Sequence, residues 1–201
     1  MSDYTDLFTS FYNQFILRDL LSIILPGYII IIAALYSNFQ TEIIIDFLSD
    51  DLSIIIVFII VGISYVLGIL LLLLGDKTGL CSTYYTTTPT DMRKRHIKFH
   101  RTLCLAYHEK ENIFANIRER YIIFMQTSGN MAWASVISLF IVLFSYVIHS
   151  LIHQPVNNFG YNQIFLMISF LVIATFFGIC NRHFKEYLED WDSLIIDQQY
   201  Q

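Results

Sequence analysis

Four uninterrupted runs of this chain, residues 20–36, 52–74, 131–152 and 163–180, contain no Asp, Glu, Lys or Arg. A bilayer core about 30 Å thick needs roughly 20 apolar residues at about 1.5 Å rise each, so each run predicts a membrane-spanning helix. The first and last are short for a perpendicular span, and flanking Phe15, Ile16 and Phe184 lengthen them. Only 14% of the residues are charged, against about 25% in a soluble domain. The polar segments left between the runs are shorter than the roughly 100 residues of an ordinary enzyme domain. That argues against a self-contained soluble catalyst, and neither enzymatic activity nor a cofactor is expected.

Orientation follows from Lys and Arg, because cytoplasmic loops carry the excess. Arg18 precedes the first run, nine basic residues lie between the second and third, and Arg182 and Lys185 follow the fourth. The two short connections carry none. Both termini and the long middle segment are therefore expected in the cytoplasm. No basic n-region or cleavage-site pattern precedes the first run, which is read as a retained span.

The chain divides accordingly. Residues 1–75 hold an aromatic N-terminal segment (Phe8, Phe11, Tyr12, Phe15, Ile16) and the first two spans; 76–130 form a cytoplasmic segment; 131–201 hold the last two spans and a tail. Between the first two spans, Glu42, Asp46, Asp50 and Asp51 interleave with apolar residues, the pattern of a small interfacial helix. The net charge of −5 is unevenly spread: residues 76–129 carry nine basic against five acidic groups (+4), and the tail from Asn181 two against five (−3). The basic segment suits anionic headgroups, RNA or the chain's own tail, and the positive-inside rule alone accounts for much of it. Cys81, Cys104 and Cys180 show no Cys-x-x-Cys spacing, so no disulfide framework is expected.

Within the cytoplasmic segment, Pro89 and Asp91 look like a helix start. One upright helix over 91–128 would be about 57 Å long, while the fourteen residues 77–90 reach only about 48 Å fully extended. A break near 108–112 resolves this, giving a helical hairpin whose second arm runs into span three; a long tilted helix or an extension of span two is the alternative. On that arm Phe114, Ile117, Tyr121 and Phe124 form one apolar stripe, with Arg118, Glu119 and Arg120 pointing elsewhere. In the tail Phe184, Tyr187, Leu188, Trp191, Leu194 and Ile195 share a face and the acidic residues take the other, so span four is expected to continue as an amphipathic helix. The fold class expected is all-α: a polytopic four-helix transmembrane bundle with a cytoplasmic hairpin and an amphipathic C-terminal helix.

Five features are candidates for chemistry, partner contact or helix packing. Arg95 and His100 fit the R-x-x-x-x-H pattern of HEPN ribonucleases, in which His moves a proton and Arg neutralises phosphate; the 54 residues around them are too few for a HEPN fold. His96, His100, Cys104 and His108 recur every four residues, but four such positions span about 18 Å of helix and cannot close one mononuclear metal site. Arg93, Lys94, Lys98 and Arg101 make the basic face available to a protein partner, RNA or lipid. Gly129 and Asn130 stand at the mouth of span three, Gly129 being the only glycine between Gly79 and Gly160, as a hinge or a close helix contact. Small residues within the spans, Gly62, Ser64 and Gly68 in the second and Ala132, Ala134, Ser135 and Ser138 in the third, favour close packing. No intramembrane charge marks a transport path.

The run Leu17-Arg-Asp-Leu-Leu-Ser-Ile-Ile-Leu-Pro-Gly27, the basic segment, Arg118-Glu-Arg-Tyr121 and Ser128-Gly-Asn130, set in a two-plus-two span layout, resemble the small four-span membrane proteins encoded beside the RNA-targeting effector of type VI-B CRISPR-Cas systems. The chain is more loosely similar to the four-span membrane subunit of Kiwa antiphage defence. The resemblance implies a bacterial inner-membrane accessory protein that modulates RNA-guided immunity, with an RNA-guided nuclease as partner and no catalytic residue carried over. The expectation is a homo-oligomeric effector with a pore or channel-like assembly. A non-conducting anchor or regulator of the nuclease, and a membrane-bound ribonuclease using Arg95 and His100, are the alternatives.

Overall fold

A computed structural model describes residues 18–38, 53–80, 98, 101–102, 111–152 and 157–197. The protein is all-helical there, with four long helices: α1 (Leu25–Asn38), continuing a π-helical turn (Asp19–Ile24), α2 (Ser53–Lys77), α3 (Glu111–Ile152) and α4 (Asn157–Asp197). With the π-helical turn counted into α1, each of the four is long and apolar enough to cross a membrane. The expected N-terminal and outer interfacial helices, and the break near residue 108, lie largely or wholly outside the described residues.

At about 1.5 Å per residue the 42 residues of α3 and 41 of α4 reach about 60 Å, twice a bilayer core. Span three and the arm before it are one helix, as are span four and the tail. Each helix thus has an apolar half inside a four-helix bundle and an arm beyond it.

Register is set by side chains that bond a neighbour's backbone. Asn130 donates to Ser22 O at 2.5 Å and Ser145 donates to Ser37 O at 2.7 Å, each pair 108 residues apart in sequence. That constant offset makes α1 and α3 parallel and pins them together at two levels. α2 runs antiparallel to α1 through a pair of close approaches: a Cβ on Gly27 would lie 1.9 Å from Ser64 O, and one on Gly68 would lie 2.0 Å from Ile23 O. Four residues along one helix match four back along the other, so each glycine admits the partner's backbone at successive turns. Gly62 differs from Gly68: nothing lies within 4 Å of its added Cβ, and it faces outward.

Two apolar clusters give the cross-section. Ile30, Leu71 and Ala134 join α1, α2 and α3; Ala33, Val142 and Phe170 join α1, α3 and α4. The four helices therefore form a lozenge with α1 and α3 on its short diagonal and α2 and α4 at its far corners. Burial follows: 39% of the apolar window of α1 and of α3 is buried, against 17% for α2 and 11% for α4. Phe58, Val66, Leu73, Phe165, Val172 and Ile179 all stand outward and exposed. Apolar surface of this extent on the outward faces of two helices marks them as faces meant for a partner or a bilayer.

The π-helical turn has a local cause. Leu25 N–H donates to Leu20 O, five residues back. Pro26 has no N–H, so neither Leu21 O nor Ser22 O can be reached from that position; the Asn130 amide serves Ser22 O instead. At the C-terminal end of α2, on the same side of the bundle, Gly79 adopts φ 80° and stops the helix in the left-handed conformation glycine tolerates.

Candidate functional site: the polar seam between bundle and arms

The polar side chains buried among these helices concentrate where the bundle gives way to the arms. Asn181, on α4, is 1% exposed and uses its amide nitrogen twice, donating to Leu80 O at 2.7 Å and to Met125 O at 2.8 Å. One helical turn on, Lys185 is equally buried and donates to Gly79 O. Trp133 Nε1 donates to Thr78 Oγ1 at 3.0 Å. α4 thus reaches the backbone carbonyls just past α2, and α3 reaches the Thr78 hydroxyl beside them. Among the described residues the other end holds a smaller cluster of Ser37, Ser145 and Gln163.

Beyond the seam the arms pack on each other. Tyr121 stacks on Tyr187 with ring centroids 4.8 Å apart, Phe124 on Phe184 at 5.7 Å, and Phe114 tilts against Trp191 at 5.9 Å. The two apolar stripes read from the sequence are each other's partners. Their charged residues depart from that reading. Arg118 does not point away: it is buried between the arms and forms a two-pronged ion pair with Asp192, Nε to Oδ1 at 2.8 Å and an Nη to Oδ2 at 3.1 Å, with exposures of 4% and 0%. Asp192 likewise leaves the acidic face, while Leu194, assigned to the apolar face, is 62% exposed. A helical position midway between faces is turned inward when a partner of opposite charge sits across from it, because pairing offsets the desolvation of both.

Of the residues singled out in the sequence, Asn130 and Gly68 are buried at helix contacts, and Gly129 is buried within an uninterrupted α3. Ser64, Ala132, Ala134, Ser135 and Ser138 are all buried as well. Lys98 and Arg101 are helical and exposed, next to Thr102, which is buried and donates to Lys98 O at 2.9 Å. Arg93, Lys94, Arg95 and His100, with His96, Cys104 and His108, lie outside the described residues. Among the described residues no three His, Cys, Asp or Glu side chains cluster as metal ligands do. Asn181, Lys185 and the Arg118–Asp192 pair were not legible as a site. Their only signal is polar residues on the apolar face of an amphipathic helix.

No protein-family model, curated protein or solved structure matches this chain. The site therefore stands on its own geometry. It offers mechanical linkage: two long helices, fastened to each other by an ion pair and stacked rings, enter the bundle through a layer of hydrogen bonds that joins α3 and α4 to the end of α2.

Proposed function

We propose that the protein is a bacterial inner-membrane accessory effector of RNA-guided antiphage immunity, with both termini and the arms in the cytoplasm, acting as a homo-oligomeric pore or channel-like assembly. The observation that carries the mechanical part is the continuity of α3 and α4 from the arms into the bundle: whatever binds the arms acts directly on two spans. The immune role rests on the resemblance of the chain to the type VI-B accessory proteins. The lozenge packs its centre with Ile30, Ala33, Ala134 and Val142, so conduction requires several copies around an axis. The walls would be the outward faces of α2 or α4, apolar apart from hydroxyls such as Ser169 and Thr175, the kind of pore that gates by dewetting.

A non-conducting anchor for a partner nuclease is the second reading, favoured by the rigid fastening of the arms. Both readings use the basic segment as the contact for nuclease or RNA, whereas a ribonuclease would need Arg95 and His100. Cells expressing the protein with its RNA-guided nuclease, reported by a voltage-sensitive dye, separate them. Target RNA is expected to depolarise the membrane only when the protein is present. An unmoved potential with altered decay of target RNA would retire the pore in favour of the anchor. Charge reversal at Lys94, Lys98 and Arg101 is expected to weaken nuclease capture, while Arg95→Ala with His100→Ala leaves immunity intact; loss of immunity in that pair alone would point to the ribonuclease.

A further inference from the structure

We propose that Asn181 is a three-helix clamp that sets whether α3 runs straight or bends at Gly129, and so couples the arms to the bundle. The clamp deepens the gated reading by naming its switch and rests on that reading for its role in conduction.

Met125 O is the carbonyl that the Gly129 N–H reaches in a regular α-helix. Two other donors also aim at it: Ser128 Oγ at 2.9 Å, from the same helix, and Asn181 Nδ2 at 2.8 Å, from α4. A carbonyl oxygen has two lone pairs. Three donors therefore compete, and the backbone bond across Gly129 is the one whose weakening lets a helix bend. Gly129 is also the only glycine in the 42 residues of α3, where a change of backbone angle meets no Cβ.

The position of this carbonyl makes the competition consequential. Above it, Asn130 and Ser145 pin α3 to α1 at two levels. Below it, Tyr121, Phe124 and Arg118 fasten α3 to the α4 arm. Gly129 thus separates two bodies, and the Asn181 amide bridges both of them to the end of α2 through Leu80 O. When the arms are displaced and Asn181 leaves Met125 O, the carbonyl is left to its own helix, the backbone bond across Gly129 strengthens and α3 is held straight there. The two arrangements differ by discrete hydrogen bonds, so a partner that binds one arm position better than the other shifts the population.

Amide hydrogen exchange on the full chain in lipid nanodiscs tests this through a sign. In Asn181→Leu the Gly129 amide is expected to exchange at least about threefold more slowly than in the wild type, because its carbonyl has lost a competitor, while amides at residues 77–80 exchange faster. Ser128→Ala removes the other competitor without touching α4 and is expected to slow Gly129 exchange too. A residue that merely supports packing would speed exchange at Gly129 along with its neighbours; unchanged or faster exchange there in both variants overturns the clamp. The dye measurement judges the gated reading separately: slower exchange beside a potential that target RNA never moves would leave the clamp standing and remove the pore.

Discussion

Arg118→Ala or Asp192→Ala is expected to destabilise the paired arms by about 3–5 kcal/mol, because either change strands the opposite charge in a buried, water-poor contact. Neither partner can turn to solvent easily: Asp192 is fully buried and Arg118 nearly so, and the planar guanidinium meets the carboxylate edge-on with two hydrogen bonds. The ring pairs on either side, tilted Phe114–Trp191 and stacked Tyr121–Tyr187, hold both backbones in place around the gap. Replacing both residues together, as Arg118→Met with Asp192→Leu, removes the charges along with the pairing and is expected to recover most of the loss. Thermal unfolding in nanodiscs measures the stability. Spin labels at the exposed positions 119 and 190 measure whether the arms stay together. The idea fails if the double variant is as unstable as the singles, since the loss would then belong to shape and not to an unpaired charge.

Gly27→Ala and Gly68→Ala are each expected to cost about 2–3 kcal/mol, the upper part of the range for overpacking. In both cases the added methyl meets backbone, Ser64 O or Ile23 O, which cannot rotate away as the tip of a side chain can. α1 and α2 must therefore separate along their shared backbone contact. Because the two glycines serve one interface, the double variant is expected to cost less than the two singles added together. Gly62→Ala is the control: its Cβ points into open space and the change should stay within about 0.5 kcal/mol of wild type. Unfolding midpoints of the four proteins in one detergent decide the matter; equal costs at Gly62 and Gly68 would refute the close-approach account.

The contrast between these glycines marks where sequence reading stops. Gly62, Ser64 and Gly68 present the same signal, small residues at helical spacing in an apolar run, and only the crossing of α1 and α2 separates the packed pair from the outward one. The arms follow the same logic. The stripe of Phe114, Tyr121 and Phe124 and that of Phe184, Tyr187 and Trp191 are plain from spacing, because burial of one helical face imposes a three-and-four periodicity. That each is the other's partner is a tertiary fact. So is the inward turn of Arg118 and Asp192, since a charge beside an apolar face snorkels outward or pairs inward according to what stands opposite. The basic positions 93–95 and His100 fall outside the described residues and rest on composition and motif alone.

By itself the sequence determined that the chain is helical, that it has four stretches able to cross a bilayer and that its basic residues gather at one end of them. Those are one-dimensional properties: hydrophobic length, periodicity and charge placement act through the solvent each residue prefers. The tertiary structure alone decided the lozenge with α1 and α3 at its centre, the parallel register of that pair, the seam at the end of α2 and the overloaded carbonyl of Met125. Each depends on backbone groups of one helix meeting side chains of another more than fifty residues away, and a backbone carbonyl leaves no mark in the order of the side chains.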